Sequence, residues 1–253
     1  MKRILVIGDG CLDVFVYGKC TRLNPEAPTP VFVPTHSTKN YGMAGNVFEN
    51  LAGINQLGVD FITNEDSTPV KTRYVDEKSN YIMMRVDEND RIRRIEKTRR
   101  DNIEFENYDC VLISDYDKGF LLPEDIEVIG SRAKISFIDT KKPLGPWCHN
   151  LSWIKMNESE SMNPEHSRST MELVKGKLII TLGERGAKIG YKHIPGERVE
   201  VMDVVGAGDT FLASLAHFYL QTNDIYESIR FANVYSAKSV KKRGVAKLVD
   251  LLA

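Results

Sequence analysis

Short runs of apolar residues alternate along this chain with stretches whose apolar positions recur every three or four residues. Residues 4–7, Ile-Leu-Val-Ile, form the first such run and stop at Gly8-Asp9-Gly10, which predicts a buried strand closed by a turn. Residues 14–35 carry Pro25, Pro28, Pro30 and Pro34; that density forbids a helix and suits an extended excursion from the main sheet. A helix is predicted from the Tyr41-to-Asn46 turn onward, with Val47, Leu51, Ile54 and Leu57 on one face. Residues 71–75 and 81–86 read as paired strands, and the charged stretch 87–107 reads as peripheral. Strands at 109–114, 134–139, 152–156 and 177–182 then alternate with helices at 123–132 and near 166–175. Residues 187–192 and 198–201 suit an antiparallel pair, and helices at 210–221 and 224–242 complete the pattern. Such alternation argues an α/β fold, a mostly parallel sheet covered by helices on both faces.

Composition narrows the function. The chain has 253 residues, is 42% hydrophobic and 27% charged, and has a net charge of −1, so nothing electrostatic points to nucleic acid or to a membrane surface. The basic runs 91–100 and 238–243 read as solvated faces. Cys11, Cys20, Cys110 and Cys148 form no Cys-x-x-Cys pair and have no histidine at zinc-ligand spacing. No stretch nears the roughly 20 apolar residues of a membrane span, and the apolar run at the N-terminus is too short for a signal peptide. A reduced, cytoplasmic protein is expected.

The chemistry concentrates at residues 203–212, Asp-Val-Val-Gly-Ala-Gly-Asp-Thr-Phe-Leu. Gly206, Ala207 and Gly208 precede Asp209 at the start of a helix, where backbone N–H groups and the positive dipole end make an anion site. A carboxylate there would repel a bound phosphate. It makes sense as a base that takes a proton from a hydroxyl attacking that phosphate; as a plain helix cap, it would need no such partner. Polar clusters also follow four successive strands: 114–119, 139–143, 157–160 and 183–186. Clusters at the same end of successive strands describe a crevice for a polar ligand. Asn157 and Glu160 supply hard oxygens suited to Mg²⁺, held through water, and Lys118, Lys141 and Lys142 could face phosphates.

Asp-x-x-Gly-Ala-Gly-Asp at 203–209, Asn-x-x-Glu at 157–160 and the glycine-containing turn before Asn46 resemble the ribokinase (PfkB-type) carbohydrate kinases. Within that family the resemblance is nearest to the kinases of D-glycero-D-manno-heptose 7-phosphate. It is carried by Gly8-Asp-Gly-Cys-Leu-Asp13, Tyr17-Gly18, residues 21–31 (Thr-Arg-Leu-Asn-Pro-Glu-Ala-Pro-Thr-Pro-Val), Ser114 to Gly119, Ile138-Asp139, Asp203 to Thr210 and Phe231-Ala-Asn233. It implies a three-layer α/β/α sandwich over residues 1–253, with a small β-sheet lid built from about 14–35 and 71–86, and a homodimer through that lid. It also implies ATP- and Mg²⁺-dependent phosphorylation of a sugar phosphate. Asp209 would be the base and the amides of 206–209 the anion hole. Asn157 and Glu160 would hold metal and phosphates. Thr181, Gly183, Glu184 and Gly186 would lie along the nucleotide, with Asn233 near the adenine. Asp13, Arg22, Gly42, Asn46, Arg85 and Asp115 would face the sugar.

The chain departs from the family pattern in two places. The paired glycines before the asparagine are here Gly42 and Met43. Only residues 59–70 bridge the first long helix and the second lid strands, too few for a full βαβ crossover, so the sheet is expected to be trimmed at one edge. No nucleotidyltransferase stretch follows, so a single activity is expected. Two alternatives stand beside the heptose phosphate reading: the same chemistry on another sugar or sugar phosphate, and a sugar- or nucleotide-binding module without catalysis.

Overall fold

The computed structural model describes residues 1–65, 68–242 and 244–252. The larger sheet is built from β1 (Lys2–Gly8), β4 (Leu57–Ile62), β7 (Cys110–Asp115), β8 (Ser136–Thr140), β9 (Trp153–Asn157), β10 (Leu178–Thr181), β11 (Ala187–Ile189) and β12 (Lys192–Ile194). Its strand order is β12-β11-β10-β9-β8-β7-β1-β4. The run from β4 to β10 is parallel, and β11 and β12 continue it antiparallel. Each apolar run splits between two cores by strict alternation. Ile4, Val6, Cys110, Leu112 and Phe137 face one layer, while Leu5, Ile7, Val111, Ile113 and Ile138 face the other. The first layer holds α1 (Ala44–Leu51), α6 (Ala207–Thr222), α7 (Ile225–Ser239) and α8 (Leu248–Leu252). The second holds α3 (Pro123–Arg132) and α5 (Arg168–Val174). This is the expected three-layer sandwich, and β4 ends the sheet where trimming was expected.

A second sheet, ordered β3-β2-β5-β6, stands apart. It comprises β2 (Gly10–Leu23), β3 (Pro30–Met43), β5 (Val70–Asp76) and β6 (Ile82–Glu88). Its register gives it two unlike faces. Asp13 pairs with Lys71, Phe15 with Arg73, and Arg73 with Arg85, so one face is ionic. The other carries Leu12, Val14, Val16, Tyr74, Met84 and Val86, with Tyr41 beside them.

Four sequence expectations change. Helix α1 stops at Leu51, because Ala52 is extended and Gly53 takes φ 88°; Ile54 and Leu57 therefore leave it. Residues 87–107 are not peripheral: Ile92, Ile95, Ile103 and Phe105 are buried in the second layer. Between Ile95 and Ile103 lies α2 (Lys97–Asp101), whose buried Arg100 donates to Asp125 at 2.5 Å, an ion pair that makes burial of the segment tolerable. Residues 198–201 form no strand; β11 pairs with β12 instead, across a turn at Gly190 with φ 56°. Of the basic run at 238–243, Ser239 closes α7, and Arg243 lies outside the described residues, as do 66 and 67 of the 59–70 bridge. Among the described residues no helix is long and apolar enough to cross a membrane, and all four cysteines are free.

Met43 sits at the root of the lid with φ 56° and ψ −131°, a region open to glycine but costly for a side chain, at about 1–3 kcal/mol. Its side chain is nonetheless buried, 4% exposed. Replacing it by glycine removes the strain along with the packing, whereas alanine keeps the strain and loses the packing. Met43→Gly is therefore expected to be more stable than Met43→Ala by about 1 kcal/mol or more, against the usual order. Urea denaturation of the two variants checks this, and an Ala variant as stable as the Gly variant would count against strain at this position.

Candidate active site

The strand ends converge on Asp209. Gly206, at φ 78°, turns the chain into α6 with no side chain capping the helix, so its first amides point outward into the crevice. Asp209 in the first turn is buried, 6% exposed. Asn46 on α1 donates from Nδ2 to its Oδ2 at 2.6 Å, and the Tyr116 hydroxyl donates to its Oδ1 at 3.0 Å. Asn46 is itself set by Asn50, whose Nδ2 donates to the Asn46 carbonyl at 2.9 Å and to Asn46 Oδ1 at 3.2 Å. Asn50 Oδ1 accepts from Thr210 on α6 and from the amide of Leu248 on α8. A buried amide network thus fixes the carboxylate's orientation.

Burial raises the Asp209 pKa to about 6; the Asn46 amide opposes this, the nearby Asp139 charge adds to it, and Lys155 and the Tyr116 hydroxyl oppose it. A base must be ionised to accept a proton, so kcat/KM is expected to fall tenfold per pH unit below about 6. Tyr116→Phe removes a donor that favours the charged form, and should move this acid limb upward. A rate profile flat between pH 5 and 7 would remove Asp209 from the base role.

Asp9 holds the loop that delivers Tyr116. Its carboxylate accepts from the amides of Tyr116 at 2.6 Å and of Lys118 and Phe120 at 3.2 Å each. The Tyr116 ring lies between two ammonium groups, Lys71 at 5.8 Å and Lys141 at 5.3 Å from its centroid. Lys71 belongs to the ionic face of the lid, so that face looks onto the base. Asp13 lies there too, its Oδ1 paired with Arg73 at 2.5 Å. Gly42 on β3, opposite Cys11, is needed beside it, since a Cβ would run into the Asp13 carboxylate and Cys11.

Other expected residues land elsewhere. Arg22 is exposed near the outer end of β2, opposite Val31. Nine residues from Asp13 at about 3.3 Å each puts it far from the base within one chain. Arg85 shares the face of Arg73 but pairs with Asp87 at 2.8 Å and is exposed. Asp115 is engaged within the protein: its oxygens accept from Thr140 at 2.5 Å, Lys142 at 2.6 Å and the Asp117 amide at 3.2 Å, and it is 1% exposed. Of the three lysines expected at phosphates, Lys118 pairs with Asp90 and Lys142 with Asp115 and Asp117; Lys141 alone borders the site, paired with Glu160.

A cleft runs from the N-terminus of α6 between α7 and the β10–β12 end of the sheet. Thr181, Gly183, Glu184, Gly186, Gly196, Val199, Val201, Ala207, Gly208, Phe211 and Asn233 line it. An apolar slot ending at free helix amides fits a base at one end and phosphates at the other. Asn233 shapes the wall: its Nδ2 donates to the carbonyls of Ile194 at 3.1 Å and Pro195 at 3.2 Å. Residues 198–201, expected as a strand, supply Val199 and Val201 to the same wall.

Asn157 and Glu160 form a capping box on α4 (Glu158–Ser161). Asn157 Oδ1 accepts from the Glu160 amide at 2.8 Å, and Glu160 Oε2 accepts from the Asn157 amide at 2.8 Å. With the Glu160 carboxylate also on Lys141, and no group of three acidic, His or Cys side chains placed for a metal among the described residues, the donor set fits Mg²⁺ held through water and nucleotide phosphates, not caged by protein.

The structure adds four residues that sequence reasoning passed over: Lys71, Arg73, Tyr116 and Lys155. Lys155 was findable, as the one charge within the apolar strand Trp153–Asn157.

A profile of the pfkB family carbohydrate kinases matches residues 41–250. Among curated proteins, the chain is 29% identical to the bifunctional protein HldE of Nitratiruptor sp. over 96% of its own length and 62% of that protein's. It is 30% identical to the bifunctional protein HldE of Helicobacter pylori strain J99, over 97% of its own length and 64% of the relative's. The chain therefore spans less than two thirds of these relatives. Among solved structures, ribokinase from Thermotoga maritima superposes with a TM-score of 0.75, covering 100% of this chain and 98% of that one at 16% identity. Phosphofructokinase-2 from Escherichia coli gives 0.69, covering 99% and 96% at 16% identity. A ribokinase from Cryptococcus neoformans solved with ADP gives 0.65, covering 100% and 99% at 16% identity. At these identities the structures share the fold with this chain.

Proposed function

The chain belongs to the pfkB family of carbohydrate kinases, and from that premise we propose that it uses ATP to phosphorylate the anomeric hydroxyl of D-glycero-D-manno-heptose 7-phosphate, giving the 1,7-bisphosphate. The observation that carries the chemistry is Asp209, buried at an uncapped helix start and aimed by Asn46 and Tyr116. ATP would supply the transferable phosphoryl group, its base in the cleft beside Phe211 and Asn233 and its phosphates toward the amides of 207–209. Asp209 takes the proton of the attacking hydroxyl, and the helix amides hold the phosphoryl oxygens. Asn157 and Glu160 would hold Mg²⁺ through water, neutralising phosphate charge.

The phosphorylated sugar is supported by the ionic lid face, where Lys71 stands over the Tyr116 ring and Arg73, two residues along on the same face, pairs with Asp13. The heptose is supported by the resemblance at residues 8–31 and by relatives named HldE over nearly the whole chain. Met43, where the family has glycine, favours a second reading: the same transfer to a different sugar phosphate. A coupled assay of ATP consumption with and without each sugar tests the kinase reading. Failure of every sugar to raise consumption would favour a binding module.

The lid's apolar face is uncovered: Tyr41 is 59% and Met84 54% exposed. Such a face seeks a partner, and we infer a homodimer with lid against lid. The open edge at β4 offers a rival interface. Sedimentation at micromolar concentration should show a dimer, and a monomer would exclude both arrangements.

A further inference from the structure

Lys155 is a buried charge whose partner does not account for it. It sits on β9, in the middle of the parallel sheet, and is 4% exposed. Burying an ammonium is costly unless its charge is used. Its Nζ donates to Asp139 Oδ2 at 2.5 Å, and among the described residues it makes no other hydrogen bond, so two of its three donors are free. Asp139 is 5% exposed, and its Oδ1 has no hydrogen-bond partner, the nearest cation being Lys141 with its Nζ 3.9 Å away. The pair is thus half-satisfied on both sides, unlike the fully engaged Arg100–Asp125 pair on the far side of the sheet.

The free side of the ammonium has a definite neighbour. A Cβ built on Gly208 would lie 3.1 Å from Lys155 Nζ. Gly208 is the middle residue of the helix start at Ala207–Asp209. The lysine therefore lies directly behind the anion hole, and glycine at 208 leaves open the path between the ammonium and whatever the amides hold. Lys141, the next cation, is occupied by Glu160.

Resting on the kinase reading above, we propose that Lys155 is a further catalytic residue, its ammonium reaching past Gly208 to the phosphoryl group in transfer, with Asp139 as its positioning partner. The sugar oxygen forms the new bond to phosphorus while the bond to the departing nucleotide oxygen breaks. The sugar's proton goes to Asp209, and Lys155 keeps all its protons. Charge on the transferred group spreads over its three outer oxygens in such a reaction, which amides alone meet with partial charges. Lys155 supplies a full charge from the strand side, in a site where burial strengthens it.

Lys155→Met alone would strand a buried Asp139, so the test is the double variant Asp139→Asn/Lys155→Met, in which no charge is left unpaired, with a thermal melt to show that it folds. Two quantities are read. The first is the ratio of affinities for a non-hydrolysable ATP analogue and for ADP, measured with Mg²⁺ and no sugar. It isolates the terminal phosphate and does not depend on the choice of sugar. The second is turnover with the best sugar. The proposal expects the folded double variant to lose about tenfold or more in the affinity ratio and roughly 10²-fold or more in turnover. If the lysine serves only to neutralise Asp139, removing both restores a satisfied core, and both quantities stay within about threefold of the wild type; that result overturns the proposal and leaves the kinase reading standing. A wild-type protein that binds neither nucleotide would overturn both.

Discussion

Replacing Asp209 by asparagine is expected to leave nucleotide binding in place and to lower turnover by roughly 10² to 10⁴-fold. The substitution is nearly isosteric, and asparagine suits the first turn of a helix about as well as aspartate does. Its carbonyl oxygen can still accept from Asn46, and its amide can face the Tyr116 oxygen, so both hydrogen bonds of the native side chain find a counterpart. The anion hole is backbone and is untouched. What disappears is the ability to take a proton at the moment the sugar hydroxyl attacks. Calorimetry of nucleotide binding beside a coupled ATP-consumption assay separates the two effects. Turnover within a fewfold of wild type would remove Asp209 from the base role.

A sugar that already carries a phosphate is expected to be used with kcat/KM roughly 10²-fold or more above the same sugar without it, because two charge-assisted contacts of about 1.5 to 3 kcal/mol each are lost with the phosphate. The cations that would make them are Lys71 and Arg73. They lie on the lid face turned to the site, and the reacting hydroxyl must sit at Asp209, so the phosphate occupies the lid end. Arginine offers a planar fork for it, and pairing with Asp13 holds that fork in place. Arg73→Met should abolish most of the preference; because it also leaves Asp13 without its partner, the quantity read is the ratio of kcat/KM with and without the sugar's phosphate, not the absolute rate. A panel of heptose 7-phosphate, free heptose, fructose 6-phosphate, fructose 1-phosphate and ribose, each with ATP and Mg²⁺, measures both. A clear preference for an unphosphorylated sugar would refute the heptose phosphate assignment and leave a carbohydrate kinase.

The parallel sheet was legible because β1, β7, β8, β9 and β10 are buried on both faces, which writes them as continuous apolar runs. Asp209 was legible because a base beside an anion site needs glycines before it and a helix after it. The partners on the lid were not. Whether Arg73 or Arg85 meets Asp13 depends on strand register between β2, β5 and β6, and Asp13 and Arg73, 60 positions apart, leave no local sign of it. Asp115 misled for a related reason: a carboxylate at a strand end looks the same in sequence whether it meets a ligand or a buried lysine 27 residues on. Residues 87–107 misled because their charges outnumber the few isoleucines that decide their burial. In the cleft wall, Val199 and Val201 act as side chains on an irregular segment, which a strand pattern cannot distinguish.

The Asn50 network also has a bearing on how the site assembles as the protein folds. One oxygen of this side chain joins the helix that carries the base to the amide of Leu248, 198 positions along the chain. With α8 undocked the protein still has both glycines, the base and the cleft, yet not the contact that completes the support of Asn46. The most sequence-distant contact of the site is then among the last to close. The carboxylate is therefore fully supported only once α8 has docked on α1 and α6, so a change that loosens α8 reaches the base through Asn50 and Asn46.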